Sequence, residues 1–168
     1  MPSSSARGEN DLLLSRLGSQ REHVVGILEG LSDEEMRRPV LASGWSCLGL
    51  LRHLAVDVEE LWFRGVIRGD QAAIDEVVQY HAWQVGPETP VASVFDLYRR
   101  ESAASDAIMA AASLDAAPGL WPVELFGAWR LDSVREVVLH VLTETATHAG
   151  HLDAVRELID GRTWLILG

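Results

Sequence analysis

Apolar residues recur along most of this chain at the spacing of one helix face. Leu13, Leu17, Val24, Ile27 and Leu28 predict a long first helix from Asn10 or Asp11 to about Gly30. Ser32-Asp-Glu-Glu35 is a capping-box pattern, opening a short helical turn that Pro39 closes. Ser46 is a good N-cap for a second helix over residues 47–68, with Leu50, Leu51, Leu54, Val58, Leu61 and Trp62 on its main stripe. Val56 and Phe63 point away from that stripe, so this helix is apolar on more than one side and is expected at the centre. Gly69-Asp70 breaks the pattern, and residues 69–88 read as a loop with one helical turn. Thr89-Pro90 caps a third helix through Val94, Leu97, Tyr98 and Ile108 to about Leu114.

From Asp115 to Asp132 the periodicity dissolves into a stretch punctuated by Pro118, Gly119, Trp121, Pro122, Phe126, Gly127 and Trp129. A connection of that length reads either as a cover over the bundle's end or as a crossover between nonadjacent helices. Ser133-Val-Arg-Glu136 is a second capping box, and the helix it opens continues to Asp160, with Gly161 at the position that closes it. At 1.5 Å per residue this last helix is roughly 42 Å long, enough to span a domain. Four long helices and one long connection predict an all-α four-helix bundle. Residues 9–168 are expected to form a single domain after a disordered tail at 1–8. The apolar segment around Trp164 is expected to dock on the bundle or on a partner subunit.

Bulk properties narrow the function classes. A chain of 168 residues can bury a sizeable core. A net charge of -11 would repel phosphate backbones, which disfavours nucleic-acid partners. No apolar run approaches the length that spans a bilayer, and the first residues lack the apolar core of a signal peptide, so no membrane role is expected. One cysteine, Cys47, excludes an internal disulfide framework and fits a reducing cytoplasm; it reads as a small buried hydrophobe.

The chemistry concentrates in His140-Val-Leu-Thr-Glu144-Thr-Ala-Thr-His148-Ala-Gly-His151. On a helix these four side chains fall within roughly 80° of one another. Their line overlaps the inner flank of the stripe Val134, Val137, Val141, Leu152, Val155 and Ile159. Polar groups turned toward a core need partners: a metal ion, neighbouring side chains or water. Glu144 and His148, four apart, are a usable chelating pair, although an ordinary buried polar pair has the same spacing. His23 sits among charged neighbours and reads as solvated, and His81 lies in the irregular segment. His53 precedes Asp57 by one turn and Glu60 by two; an isolated helical histidine is more often hydrogen-bonded or surface than a ligand.

Trp45-Ser46, the run Leu-Leu-Arg-His53-Leu-Ala with its trailing acids and Trp62, and Glu144-Thr-Ala-Thr-His148-Ala-Gly-His151-Leu-Asp together resemble the DinB superfamily of small helical metalloproteins. The likeness covers nearly the whole chain and is closest to an actinobacterial branch. That superfamily includes mycothiol-dependent maleylpyruvate isomerase and bacillithiol transferases. The resemblance implies a divalent metal held by His53, Glu144 and His148. His151 falls where other members often carry Gln and is read as a fourth ligand or proton carrier, and His140 either orients a ligand or is a core-edge histidine bonded to a neighbouring helix. It also implies a metal-dependent thiol transferase or isomerase acting on a small-molecule substrate, with mycothiol or another low-molecular-weight thiol as cosubstrate. Two imidazoles and a carboxylate suit zinc or nickel. Two other functions share the residues: a hydrolase using metal-bound hydroxide with His151 or Glu60 as general base, and a non-catalytic binding module. Trp83, Trp121 and Trp129 are the candidate pocket walls, and the apolar exteriors of helices two and three suggest a homodimer.

Overall fold

The structure, a computed structural model, describes residues 8–164. The expected tail lies outside the described residues except for Gly8, as do residues 165–168. Among the described residues every regular element is helical: α1 (Glu9–Leu28), α2 (Asp33–Arg37), α3 (Cys47–His53), α4 (Gln71–Gln79), α5 (Val91–Ala111), α6 (Val123–Phe126) and α7 (Val134–Asp160). From Leu54 to Ile67 the chain continues α3 without a break but in π-helical form. The long rods are α1, α3 with its π continuation, α5 and α7. α1 packs along α7, α5 packs along the π segment, and the π segment also meets α7. Leu17, Val24 and Ile27, Leu54, Phe63 and Val66, Tyr98 and Met109, and Val137, Val141 and Leu152 fill one continuous core.

The caps read from sequence form as hydrogen bonds. Ser32 and Glu35 bond reciprocally, and Ser46 accepts from the Gly49 N–H at 3.1 Å. Ser133 accepts from the Glu136 N–H, but the Glu136 carboxylate reaches the Asp132 N–H instead of completing the box. Gly161 closes α7 in the left-handed region at φ 78°, where a side chain would strain the backbone. Arg156, 4% exposed, donates from Nη1 to the carbonyls of Ile27 and Glu29, placing a cation at the C-terminal end of α1.

Three sequence expectations are corrected. Residues 71–79 form a nine-residue helix rather than a single turn. Asp70 caps it, accepting from the N–H groups of Ala72 and Ala73, and Ala73, Ile74 and Val77 bury one face. His23 is not solvated: it pairs with Asp153 at 2.7 Å and stacks on Trp164 at 4.9 Å. Gly26 leaves the room that the Trp164 ring occupies, so Trp164 docks on its own bundle. The second helix is α-helical only as far as His53. Beyond it the bonding runs five residues back, as from the Arg68 N–H to the Phe63 carbonyl at 2.9 Å. Each turn then holds more residues than the 3.6 of an α-helix, so side chains seven apart no longer superimpose.

The crossover is fastened to the end of this segment. The N–H groups of Gly119 and Leu120 donate to the carbonyls of Ile67 and Val66, both at 3.1 Å. A Cβ at position 119 would come within 2.9 Å of the Ile67 oxygen, so only glycine permits the approach. These bonds satisfy carbonyls that a helix end leaves open.

Candidate metal centre

His53 ends α3, and Glu144 and His148 lie one turn apart in α7, where the packing of the two rods brings them together. One ligand atom from each of the three lies within 4.8 Å of the others. Nε2 of His148 is 3.6 Å from the Glu144 carboxylate. The other ring nitrogens are occupied: Nδ1 of His53 bonds Asp57 at 2.7 Å, and Nδ1 of His148 meets Nδ1 of His151 at 3.4 Å. Each ligand ring therefore has a neighbour to fix its tautomer, leaving Nε2 to ligate. Two neutral imidazoles and one carboxylate are the donor types a borderline divalent ion takes, and three protein ligands leave coordination positions open.

Electrostatics keep the His148 ring neutral. Burial first, then the neighbouring His53, hold His148 down to about 4, against the partial opposition of Glu144. Burial likewise lowers His140, countered by Glu144. Because folded His148 titrates below its ordinary 6.5, the unfolded chain takes up a proton that the folded chain refuses between those values. Folding stability of the metal-free protein is expected to be full above about pH 6.5 and to fall as the pH is lowered toward 4. Melting temperatures across that range should drop more steeply for the native sequence than for His148→Gln. Parallel curves would contradict the assignment.

The aromatic residues divide into two groups. Trp83 stacks on His53 with centroids 4.2 Å apart and meets His148 at 5.9 Å. Gly49 makes this placement feasible, since a Cβ there would collide with the Trp83 carbonyl oxygen. Trp121 and Trp129 are instead one turn of α7 away from Glu144, where Trp129 and Trp62 pack against His140 at 5.4 and 4.6 Å. His140 therefore sits among rings and makes no hydrogen bond to a ligand among the described residues. The residues that do orient the ligand rings are Asp57 and His151. His151 stands behind His148 with its own ring exposed, outside the three-residue grouping.

Glu60 is not brought to the triad. Its carboxylate pairs with Arg64 at 2.9 Å and lines a separate cleft with Glu76, Tyr80 and Glu101. α-Helical spacing puts residues 53 and 60 on one line; the wider π turn removes that coincidence. Nothing in the sequence signals that Trp45 lies 6.4 Å from His151, and the pairing role of Asp57 was not read from it. The latter had a signal, the i,i+4 spacing from His53. Replacing Asp57 with alanine is expected to weaken zinc binding by about 10- to 100-fold, measured by competition with a chromogenic chelator. Unchanged affinity would reduce Asp57 to a surface partner.

Cys47 contributes no nucleophile. It is 1% exposed, and burial pushes its thiol up to about 11. The native protein is expected to resist an aromatic disulfide reagent and to react only on unfolding; rapid native-state labelling would overturn this.

No helix among the described residues is long and apolar enough to cross a membrane. No curated protein and no solved structure gives a significant match to the chain. The family model described as mycothiol-S-transferase, however, matches residues 12–161. That span contains α1 from its fourth residue, the whole of the other three long rods and every residue of the triad. This all-helical chain with two histidines and a glutamate gathered at one point belongs to the mycothiol-S-transferase family, a DinB-like family.

Proposed function

We propose that the protein is a metal-dependent transferase that joins mycothiol, or a closely similar low-molecular-weight thiol, to an electrophilic small molecule. The observation that carries this reading is the convergence of His53, Glu144 and His148 within 4.8 Å, in a chain whose family is named for transfer to or from that thiol. Zinc or nickel fits the donor set, and when bound such an ion would favour the deprotonated form of a thiol held in its open position.

The chain's own residues perform the rest. Asp57 accepts from His53 and holds that ring in place, while His151 does the same for His148. Glu144 supplies the single negative charge of the ligand set. His151, exposed and in contact with His148, is the residue we assign to relay a proton between that ring and solvent. Trp83 covers one face of His53 and limits water on that side. Sulfur then forms its bond to the electrophilic carbon. In an addition the adduct takes up a proton; in a displacement the leaving group departs with the bonding pair.

The reading includes two finer expectations. A reducing cytoplasm suits both a free small thiol and the unpaired Cys47. A homodimer would cover the exposed apolar side chains Val78 and Leu125, which border one surface cleft with Pro122. A light-scattering mass of one chain would reject the dimer.

Titrating the cobalt(II)-substituted protein with mycothiol tests the main reading. A sulfur-to-cobalt charge-transfer band that saturates at one thiol per chain is expected. A visible and near-ultraviolet spectrum unmoved by the thiol would overturn the proposal.

A further inference from the structure

Two unlike groups of side chains neighbour the triad, one at His53 and one at His140, a turn before Glu144. On the His53 side Trp83 stacks on that ring, and His151, behind His148, lies near Trp45. Arg52, the residue before His53, donates to the Gln84 carbonyl at 3.2 Å, which adds a cation on this side. On the Glu144 side the wall consists of rings. Trp62, Trp121, Phe126 and Trp129 pack on one another with centroids 5.1 to 6.0 Å apart. Trp121 spends its indole N–H on the Trp129 carbonyl at 3.1 Å, and the His140 ring packs against Trp62 and Trp129. Trp62 is 4% exposed, whereas Trp129 is 44% exposed and presents ring surface to solvent.

Charge sharpens the contrast. The chain contains no lysine and carries a net charge of -11. The nearest arginine in sequence to the cluster, Arg130, is bound to Asp132 at 2.9 Å. Glu144 and Asp57 stand at the triad itself. A carboxylate laid against these ring faces would lose hydration with little to replace it, a juxtaposition that costs binding energy. A planar uncharged molecule would meet quadrupolar ring faces that favour stacked or edge-on contact.

We propose that the Trp62–Trp121–Phe126–Trp129 wall beside His140 receives the aromatic, uncharged body of the electrophile, leaving the polar His53 wall to the thiol. This inference rests on the transferase reading above and names the substrate class for that site. It assigns Trp129 as the residue whose exposed ring the electrophile covers and Phe126 as its neighbour in the same wall.

The test is a binding measurement without metal or thiol, so its outcome is separate from that of the cobalt titration. The probe is 1,3-dinitrobenzene, an uncharged aromatic that quenches indole fluorescence and has no leaving group to displace. Saturable quenching is expected in the metal-free protein and in His53→Ala, with maleate at the same concentrations giving none. Trp129→Leu should weaken the probe by about tenfold. Phe126→Leu provides a second variant, expected to weaken it in the same direction while the indole N–H resonance of Trp83 stays in place. Linear, non-saturable quenching would overturn the proposal. So would native affinity kept by both variants, or displacement of the bound probe by maleate.

Discussion

Replacing His148 with alanine is expected to lower zinc affinity by more than about 100-fold, beyond what loss of an orienting neighbour costs. The reason lies in how few ligands there are. With three donors drawn from two rods, removing one leaves a pair that cannot enclose an ion. The deleted ring is also the one with the most elaborate surroundings: Glu144 at 3.6 Å, His151 at 3.4 Å and the His53 ring at 5.0 Å. The fold should tolerate the change, because His148 is only half-buried and its apolar neighbours Ala149 and Leu152 are untouched. The same loss is expected for His53→Ala and Glu144→Ala, but not for His140→Ala, whose ring lies among the tryptophans. Competition with a chromogenic chelator separates these outcomes. A His148→Ala protein that kept native affinity would remove His148 from the ligand set.

Replacing Glu59 with alanine is expected to destabilise the protein by about 3–5 kcal/mol while leaving zinc affinity within a few-fold of native. Glu59 is fully buried in the π segment and receives both Nε and Nη2 of Arg21 at 2.7 Å. Arg21 is 7% exposed, and its Nη1 bonds Asp106. Removing the glutamate strands most of a buried guanidinium, with only the more exposed Asp106 still paired to it. In a chain of this size that corresponds to a fall of roughly 6–20 °C in melting temperature. The double replacement Arg21→Met with Glu59→Leu should recover much of the loss, because no charge is then left buried alone. Thermal melts of the three proteins check this. A single Glu59→Ala variant as stable as the native chain would mean that water reaches the pair.

Much of the architecture was legible because the long helices carry sustained apolar stripes bounded by cap residues. Ser46, Ser133 and Gly161 mark boundaries that the hydrogen bonds reproduce. The π form of residues 54–67 was not legible, since a buried helix apolar on several sides has no single stripe whose period could be measured. Glu60 was misplaced for that reason. α4 was missed because nine residues with a short apolar face give little periodicity, although its Asp70 cap was visible in the sequence. The pair Glu144 and His148 was legible from spacing, whereas the partnership of His53 came from family resemblance. Tertiary packing supplied what spacing could not: Asp57 and His151 behind the ligand rings, Trp83 over His53, and the separation of Trp121 and Trp129 into their own cluster.

X-ray absorption at the zinc edge, on protein loaded with one equivalent of zinc, addresses the metal centre most directly. The account predicts a first shell of nitrogen and oxygen with the outer scattering of two imidazoles, lost in whole or in part in His53→Ala. A shell of water oxygens without imidazole scattering, or an imidazole count that His53→Ala leaves unchanged, would contradict it.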